Sequence, residues 1–185
     1  MKGLMLLANG FEDTEALTTR DVLLRAGIEV ITYSINSNRQ VESSFGLTLL
    51  ADKPFTLLPA NIDSFDFLIL PGGGRGTKNL AENRNVRDLI EKFYDRDKLL
   101  CAICAAPSIY GKLGYFKDVK FTCFAGFNQG YEGNFTGEEV EVDGNFITAR
   151  SMMYSVKFAL AIIEKLLGTE AKEKVLIGLM GQVEK

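Results

Sequence analysis

The residue type that most invites chemistry is the cysteine of Ala102-Ile103-Cys104-Ala105-Ala106. An apolar run, Leu99 to Ile103, leads straight into it, and a short helical pattern, Cys104 to Leu113, follows. Alanines stand two positions before and two after the sulfur. A tight strand-to-helix turn presses those positions against neighbouring backbone, so they must be small. Ala-x-Cys-x-Ala thus stands where a nucleophile elbow has Gly-x-Ser-x-Gly. The turn strains the backbone of Cys104 and sets its sulfur at a helix N-terminus. The dipole there lowers a thiol's pKa from about 8.5. It also aims N–H groups, such as that of Ala105, at a developing oxyanion. The plainer reading is a small cysteine buried for packing.

A nucleophile needs a proton carrier. The chain has no histidine, which excludes Ser-His-Asp and Cys-His triads, histidine zinc sites and imidazole shuttles. Acidic residues are the candidates that remain for that task. Glu12, Asp13 and Glu15 crowd the first turn of the first helix, at the carboxyl edge of the first strand. Sequence alone does not separate them, and a water-facing residue favoured by the helix dipole is the plainer reading of each. The loop Pro71-Gly72-Gly73-Gly74-Arg75-Gly76 follows another strand and offers N–H groups able to hold an anion. It spells neither a Walker loop nor GxGxxG, since Thr77 takes the last glycine position. Cys101 and Cys104 spell CxxC. Three extended residues span roughly 10 Å, however, beyond the disulfide limit of about 7 Å between Cα atoms. Cys101 and Cys123 read as core.

The elements that must position these groups alternate. Gly3 to Ala8 reads as a buried strand, and Asn9-Gly10 as a turn. Asp13 to Ala26 is a helix with an acidic first turn, Arg25 in its last turn and Gly27 as its stop. Ile28 to Ile35 is a strand, and Gln40 to Ala51 an antiparallel excursion centred on Phe45-Gly46. Asp66 to Leu70 is a strand, Asn79 to Asp95 a helix, Lys98 to Ile103 and Lys120 to Phe124 further strands. Glu139 to Val142 and Phe146 to Ala149 flank Asp143-Gly144-Asn145, a hairpin signal. Ser151 to Leu167 and Thr169 to Leu179 close the chain as helices. This order predicts an α/β fold, a mainly parallel sheet covered by helices on both faces. Ligand sites in such sheets lie at the strands' carboxyl ends. There, Asn9 to Glu15, Pro71 to Thr77 and Ile103 to Pro107 can converge.

Bulk composition agrees. At 185 residues, 46% hydrophobic, the chain is expected to form one domain over 1–185 with a sizeable core. A net charge of -3 with both signs interspersed gives no basic stripe for nucleic acid. No apolar run reaches the roughly 18 residues a membrane span needs. Three cysteines make no even disulfide framework, and the brief apolar N-terminus reads as a strand rather than an export signal. A cytoplasmic protein is expected.

Several stretches, in order, resemble the DJ-one/ThiJ/PfpI superfamily over nearly the whole chain, closest to the branch containing the parkinsonism-associated deglycase. They are Ala8 to Glu15, Asp21 to Gly27, Leu70-Pro71-Gly72-Gly73, Asn79-Leu80, Ala102 to Pro107, Thr148-Ala149-Arg150 and Phe158 to Ile162. The resemblance implies a flavodoxin-like doubly wound sandwich of the class I glutamine amidotransferase-like type, and a homodimer. It implies that Cys104 is the reactive cysteine and that Glu15 is the carboxyl hydrogen-bonded to its sulfur. Gly73 and Ala105 would lend backbone N–H groups. Gly72 and Arg150 support the site, and Arg25 would lie near the dimer interface, close to it. Relatives with glyoxalase or deglycase activity often carry a histidine where this chain has Phe124. Relatives of the peptidase-like branch have one where it has Ala105.

Two functions are expected from this. One is a cofactor-free glyoxalase or deglycase acting on α-oxoaldehydes such as methylglyoxal or their adducts, with Cys104 as nucleophile and Glu15 as general acid and base. The other is a redox-sensing or chaperone-like stress protein working through oxidation of Cys104 to the sulfinate.

Overall fold

A computed structural model describes residues 1–182. In chain order the elements are β1 (Lys2–Leu7), α1 (Asp13–Arg25), β2 (Glu29–Ser34), β3 (Gln40–Glu42), β4 (Thr48–Leu50), β5 (Lys53–Pro54) and β6 (Phe67–Leu70). Then come α2 (Gly74–Glu82), α3 (Arg84–Tyr94), β7 (Leu99–Ile103), α4 (Pro107–Lys112), β8 (Lys120–Phe121) and β9 (Asn134–Phe135). The last are β10 (Val140–Asp143), β11 (Phe146–Ala149), α5 (Ser155–Leu167) and α6 (Thr169–Leu179).

Seven strands form one sheet in the order β10-β11-β7-β6-β1-β2-β5. Every pairing is parallel except that of β10 with β11. The central strands are unbroken apolar runs because both faces are covered. Side chains alternate across the sheet. Met5, Leu7, Ile69, Cys101 and Ile103 pack under α1, α5 and α6. Leu4, Leu6, Leu68, Leu70, Leu100 and Ala102 pack under α2, α3 and α4. Burying one such Leu or Ile contributes about 1.5–3 kcal/mol, so these strands form the rigid frame on which the loops are hung. The result is a flavodoxin-like α/β sandwich.

The chain leaves β1 for β2 on one side and returns to β6 on the other, so the strand order reverses between β1 and β6. Loops leaving the carboxyl ends of these strands diverge and open a crevice, the general ligand position in such folds. The carboxyl end of β7 lies beside it.

Several boundaries differ from the sequence expectation, each for a local reason. The helix expected over Asn79 to Asp95 is two helices. Asn83 leaves the helical path, and its side chain accepts the N–H groups of Asn85 and Val86 to cap α3. The strand expected over Lys120 to Phe124 is only two residues and pairs with β9 outside the main sheet. α5 begins at Ser155 after a 3₁₀ turn over Met152–Tyr154. Among the described residues no helix is long and apolar enough to cross a membrane.

Candidate active site

Cys104 occupies the left-handed region at φ 63°, a conformation that costs a residue with a Cβ about 1–2 kcal/mol. Three backbone bonds hold it there. Its N–H donates to the Ala149 carbonyl at 2.8 Å, its own carbonyl accepts the Phe124 N–H at 2.8 Å, and the Ala106 N–H donates to Ile103 across the turn. Ser108 Oγ donates to the Ala105 carbonyl at 2.7 Å and locks the far side. The strained elbow is present, but the helix expected to start at Cys104 starts at Pro107. Residues 104–106 form a turn, and the six-residue α4 lies too far on for its dipole, which acts over about one turn, to govern the sulfur.

The three acidic residues of the first turn have different roles. Glu12 caps α1, its side chain accepting the Glu15 N–H at 2.7 Å. Asp13 Oδ1 and Oδ2 are covered and have no hydrogen-bond partner. Glu15 is only 1% exposed because its place on the helix turns it inward. Its Oε2 accepts the Gly72 N–H at 2.7 Å. Its Oε1 meets no nitrogen or oxygen partner, and the Cys104 thiol is the other hydrogen-bonding group at this carboxyl. Burial pushes the Glu15 pKa from 4.5 up to about 7. The hydrogen bonds to Cys104 and Gly72 pull against that rise, and the charge of Glu12 adds slightly to it.

The Cys104 thiol is raised rather than lowered. Burial is the main cause, and the negative charge of Glu15 and the hydrogen bond to it add to the rise. The N–H groups of Gly73 and Ala105 act in the opposite direction. This corrects the expectation of a dipole-lowered thiol: the low-dielectric setting around the sulfur resists charge. Two buried acids in contact titrate as a pair. Losing one proton is feasible near neutral pH, and losing both is strongly opposed. As pH rises through about 7 the pair passes from two protons to one, leaving one negative charge across the Glu15–Cys104 contact.

The glycine loop fits between these two side chains. A Cβ on Gly72 would lie 2.7 Å from Glu15 Oε2, 2.8 Å from Cys104 Cβ and 2.9 Å from the Ile103 carbonyl oxygen. Gly73, at φ 86°, would bring a Cβ within 2.3 Å of the Gly10 carbonyl oxygen. The β3–β4 hairpin closes the far side. Ser44 Oγ donates to the Gly10 carbonyl at 2.7 Å, and the Ser44 N–H donates to the Phe11 carbonyl at 2.7 Å. Asn79 Nδ2 donates to the Asn9 carbonyl at 2.8 Å. Sequence reasoning missed Ser44 and Ser108. No local signal marks Ser44, which meets its partner across 34 positions, whereas Ser108 bonds only three residues back, within the turn the sequence already points to.

The structure brings together Cys104, Glu15, Gly72, Gly73 and Ala105. Phe124 joins them through its bond to the Cys104 carbonyl and is 47% exposed. Arg150 lies one residue beyond the Ala149 carbonyl. It donates to the Gly137 carbonyl at 2.8 Å and to the Tyr154 hydroxyl, so it braces the loop. Arg25 is not brought to the site of its own chain. It sits ten residues along α1 from Glu15, about 15 Å away, and pairs with Asp21 at 2.7 Å. Cys101 and Cys123 are fully buried. Among the described residues no three His, Cys, Asp or Glu side chains form a group able to hold a metal ion.

Comparison with known proteins adds the following. The DJ-1/PfpI family model matches residues 1–165. Protein dj-1beta of Drosophila melanogaster is 34% identical over 180 residues, 96% of this chain and 95% of that protein. Deglycase PfpI of Pyrococcus furiosus is 32% identical over 155 residues, 81% of this chain and 90% of that protein. The crystal structure of Drosophila melanogaster DJ-1beta matches with a TM-score of 0.90 at 32% identity, over 99% of this chain and 98% of that one. Oxidized Toxoplasma gondii DJ-1 matches with a TM-score of 0.89 at 26% identity, over 99% of both chains.

Proposed function

The chain belongs to the DJ-1/PfpI family, and on that footing we propose that it is a cysteine-dependent, cofactor-free enzyme acting on α-oxoaldehydes of the methylglyoxal type or their adducts. One observation carries the reading: a carboxyl that burial holds near pKa 7 lies against a strained cysteine in a chain with no histidine. A relative of this chain is named a deglycase, which supports the substrate class.

The sulfur attacks the aldehyde carbon, forming the S–C bond, and the carbonyl electron pair moves onto oxygen. The N–H groups of Gly73 and Ala105 stabilise that oxygen, and protonated Glu15 supplies its proton. Glu15, now a carboxylate, removes the hydrogen from the same carbon and returns it to the neighbouring one, and it carries the hydroxyl proton of the first carbon to the oxygen of the second, so that the first becomes a carbonyl. The thiohemiacetal becomes a 2-hydroxyacyl thioester, and water releases the hydroxy acid and frees the thiol. The proton is returned, so one carboxyl with a pKa near the working pH does both tasks. Phe124 leaves the site without an imidazole, and the reading assigns every proton transfer to Glu15.

The test is incubation with methylglyoxal and detection of lactate. Turnover is expected from the native chain and not from Cys104→Ser. Equal rates from the two would discard the proposal.

A second reading, redox sensing, draws support from the same proton. A protonated Glu15 can donate to an oxygen of a Cys104 sulfinate, and a structurally similar relative is known in an oxidized form. Mild peroxide is expected to add about 32 Da at Cys104 alone. Even oxidation of all three cysteines counts against it.

The same reading includes one domain, a cytoplasmic location and a homodimer. Apolar side chains of Leu17, Leu47, Leu50, Met152 and Met153 stand open to solvent, which suits self-association. A monomeric mass by light scattering at micromolar concentration would remove the dimer.

A further inference from the structure

Partly exposed aromatic residues stand beside the candidate site along the chain and across its backbone bonds. The Phe124 N–H donates to the Cys104 carbonyl at 2.8 Å, which fixes the Phe124 backbone beside the reactive residue. The Phe127 N–H turns back onto the Phe124 carbonyl at 3.0 Å. Tyr131 Oη holds that turn by donating to the Phe127 carbonyl at 2.6 Å. The two rings meet edge to face with centroids 6.5 Å apart, a geometry in which aromatic pairs attract. Phe124 nevertheless stays 47% exposed. On the opposite side Ser44 is bonded to Gly10 and Phe11, and the next residue, Phe45, is 85% exposed.

The cations near the site loops are engaged elsewhere. Arg75 pairs with Glu42 at 3.0 Å, and Arg150 is held by Gly137 and Tyr154. Each already has a protein partner that a carboxylate or phosphate on the substrate would have to displace. A partly exposed aromatic pair of this kind favours apolar groups.

Building on the glyoxalase reading, we infer that the preferred substrates are α-oxoaldehydes with an aryl or bulky alkyl group beyond the two carbonyls, selected by Phe124. The reaction is unchanged: phenylglyoxal and water give mandelate as methylglyoxal and water give lactate. Only the substituent against the aromatic pair differs.

The experiment compares kcat/KM for phenylglyoxal and methylglyoxal, by mandelate and lactate formed, in the native chain, Phe124→Ala and Phe124→Leu. Thermal melts establish that each variant is folded. The native chain should favour phenylglyoxal by about tenfold or more, the scale on which small apolar differences discriminate. Phe124→Ala should lower that ratio about tenfold, and Phe124→Leu should retain most of it. A ratio untouched by Phe124→Ala overturns the inference while leaving the enzyme reading intact. If neither aldehyde is converted, the enzyme reading fails. The aromatic pair is then read from Cys104 alkylation by phenacyl bromide against iodoacetamide. The same dependence on Phe124 is expected there, and an unchanged ratio overturns the inference.

Discussion

Cys101 and Cys104 lie three residues apart, one inside β7 and one just beyond its end. Both are shielded from water, and shielding raises both thiols. Cys101 packs among Ile69, Ile103 and Ile147, with no acid beside it and regular strand backbone. Cys104 stands at positive φ, touches a carboxyl from residue 15 and faces N–H groups from residues 73 and 105. Burial alone makes a cysteine inert. Cys104 differs in having an acid neighbour and N–H donors around its sulfur, and two of those neighbours come from distant parts of the chain.

The most direct attempt to break this contrast exchanges the two positions. Cys104→Ser should abolish labelling of the native chain by iodoacetamide and lower methylglyoxal turnover by at least about 1000-fold. Cys101→Ala should leave both within about twofold and cost about 1 kcal/mol in denaturant unfolding. Labelling that survives Cys104→Ser in the folded protein would mean that the two thiols are not distinct.

The next largest effect falls on Glu15. Glu15→Gln should cost about 10²–10⁴ in kcat/KM. In the native chain Cys104 labelling should rise with pH through about 7, where the pair loses its first proton. In Glu15→Gln that inflection should vanish. An inflection near 7 in both proteins would detach Glu15 from the sulfur.

Gly72→Ala probes the contact sterically. Its Cβ would lie under 3.0 Å from Glu15 Oε2, Cys104 Cβ and the Ile103 carbonyl oxygen. A misplacement of about 1 Å at a reacting group can cost about 10²-fold, and overpacking about 1–3 kcal/mol. Activity and stability should therefore fall together. Native-like activity in a folded Gly72→Ala would show that the loop has room to yield.

The smallest effect is on stability against pH. The folded pKa of Glu15, about 7, lies above its ordinary 4.5, so between those values the folded chain binds more proton than the unfolded one. The stability held below pH 4.5 is lost as pH rises through about 7. At 1.36 kcal/mol per pKa unit, the loss is about 3 kcal/mol. Urea midpoints at pH 5 and 8 should reveal this fall in the native chain and a smaller one in Glu15→Gln. Equal falls would place the titration elsewhere.

Much of this was legible in the linear chain. Apolar runs such as Phe67–Leu70 and Leu99–Ile103 announce buried parallel strands, and Ala-x-Cys-x-Ala announces a tight turn at Cys104. The boundaries were less legible. α4 starts only at Pro107, after the turn at 104–106, and Asn83 splits one amphipathic pattern into two helices because its capping bonds compete with periodicity. Ser44 carried no signal at all, because its bond to Gly10 exists only once the β3–β4 hairpin folds over the crevice.

By itself the sequence determined which residues are available: one cysteine at a turn, three acids in one helical turn, a run of glycines and no imidazole. These are matters of composition and local spacing. Tertiary structure decided which acid faces the sulfur, and that both groups resist ionisation. A pKa depends on how much water is excluded and which dipoles are near, and those quantities exist only when residues 15, 72, 73 and 104 have been brought together.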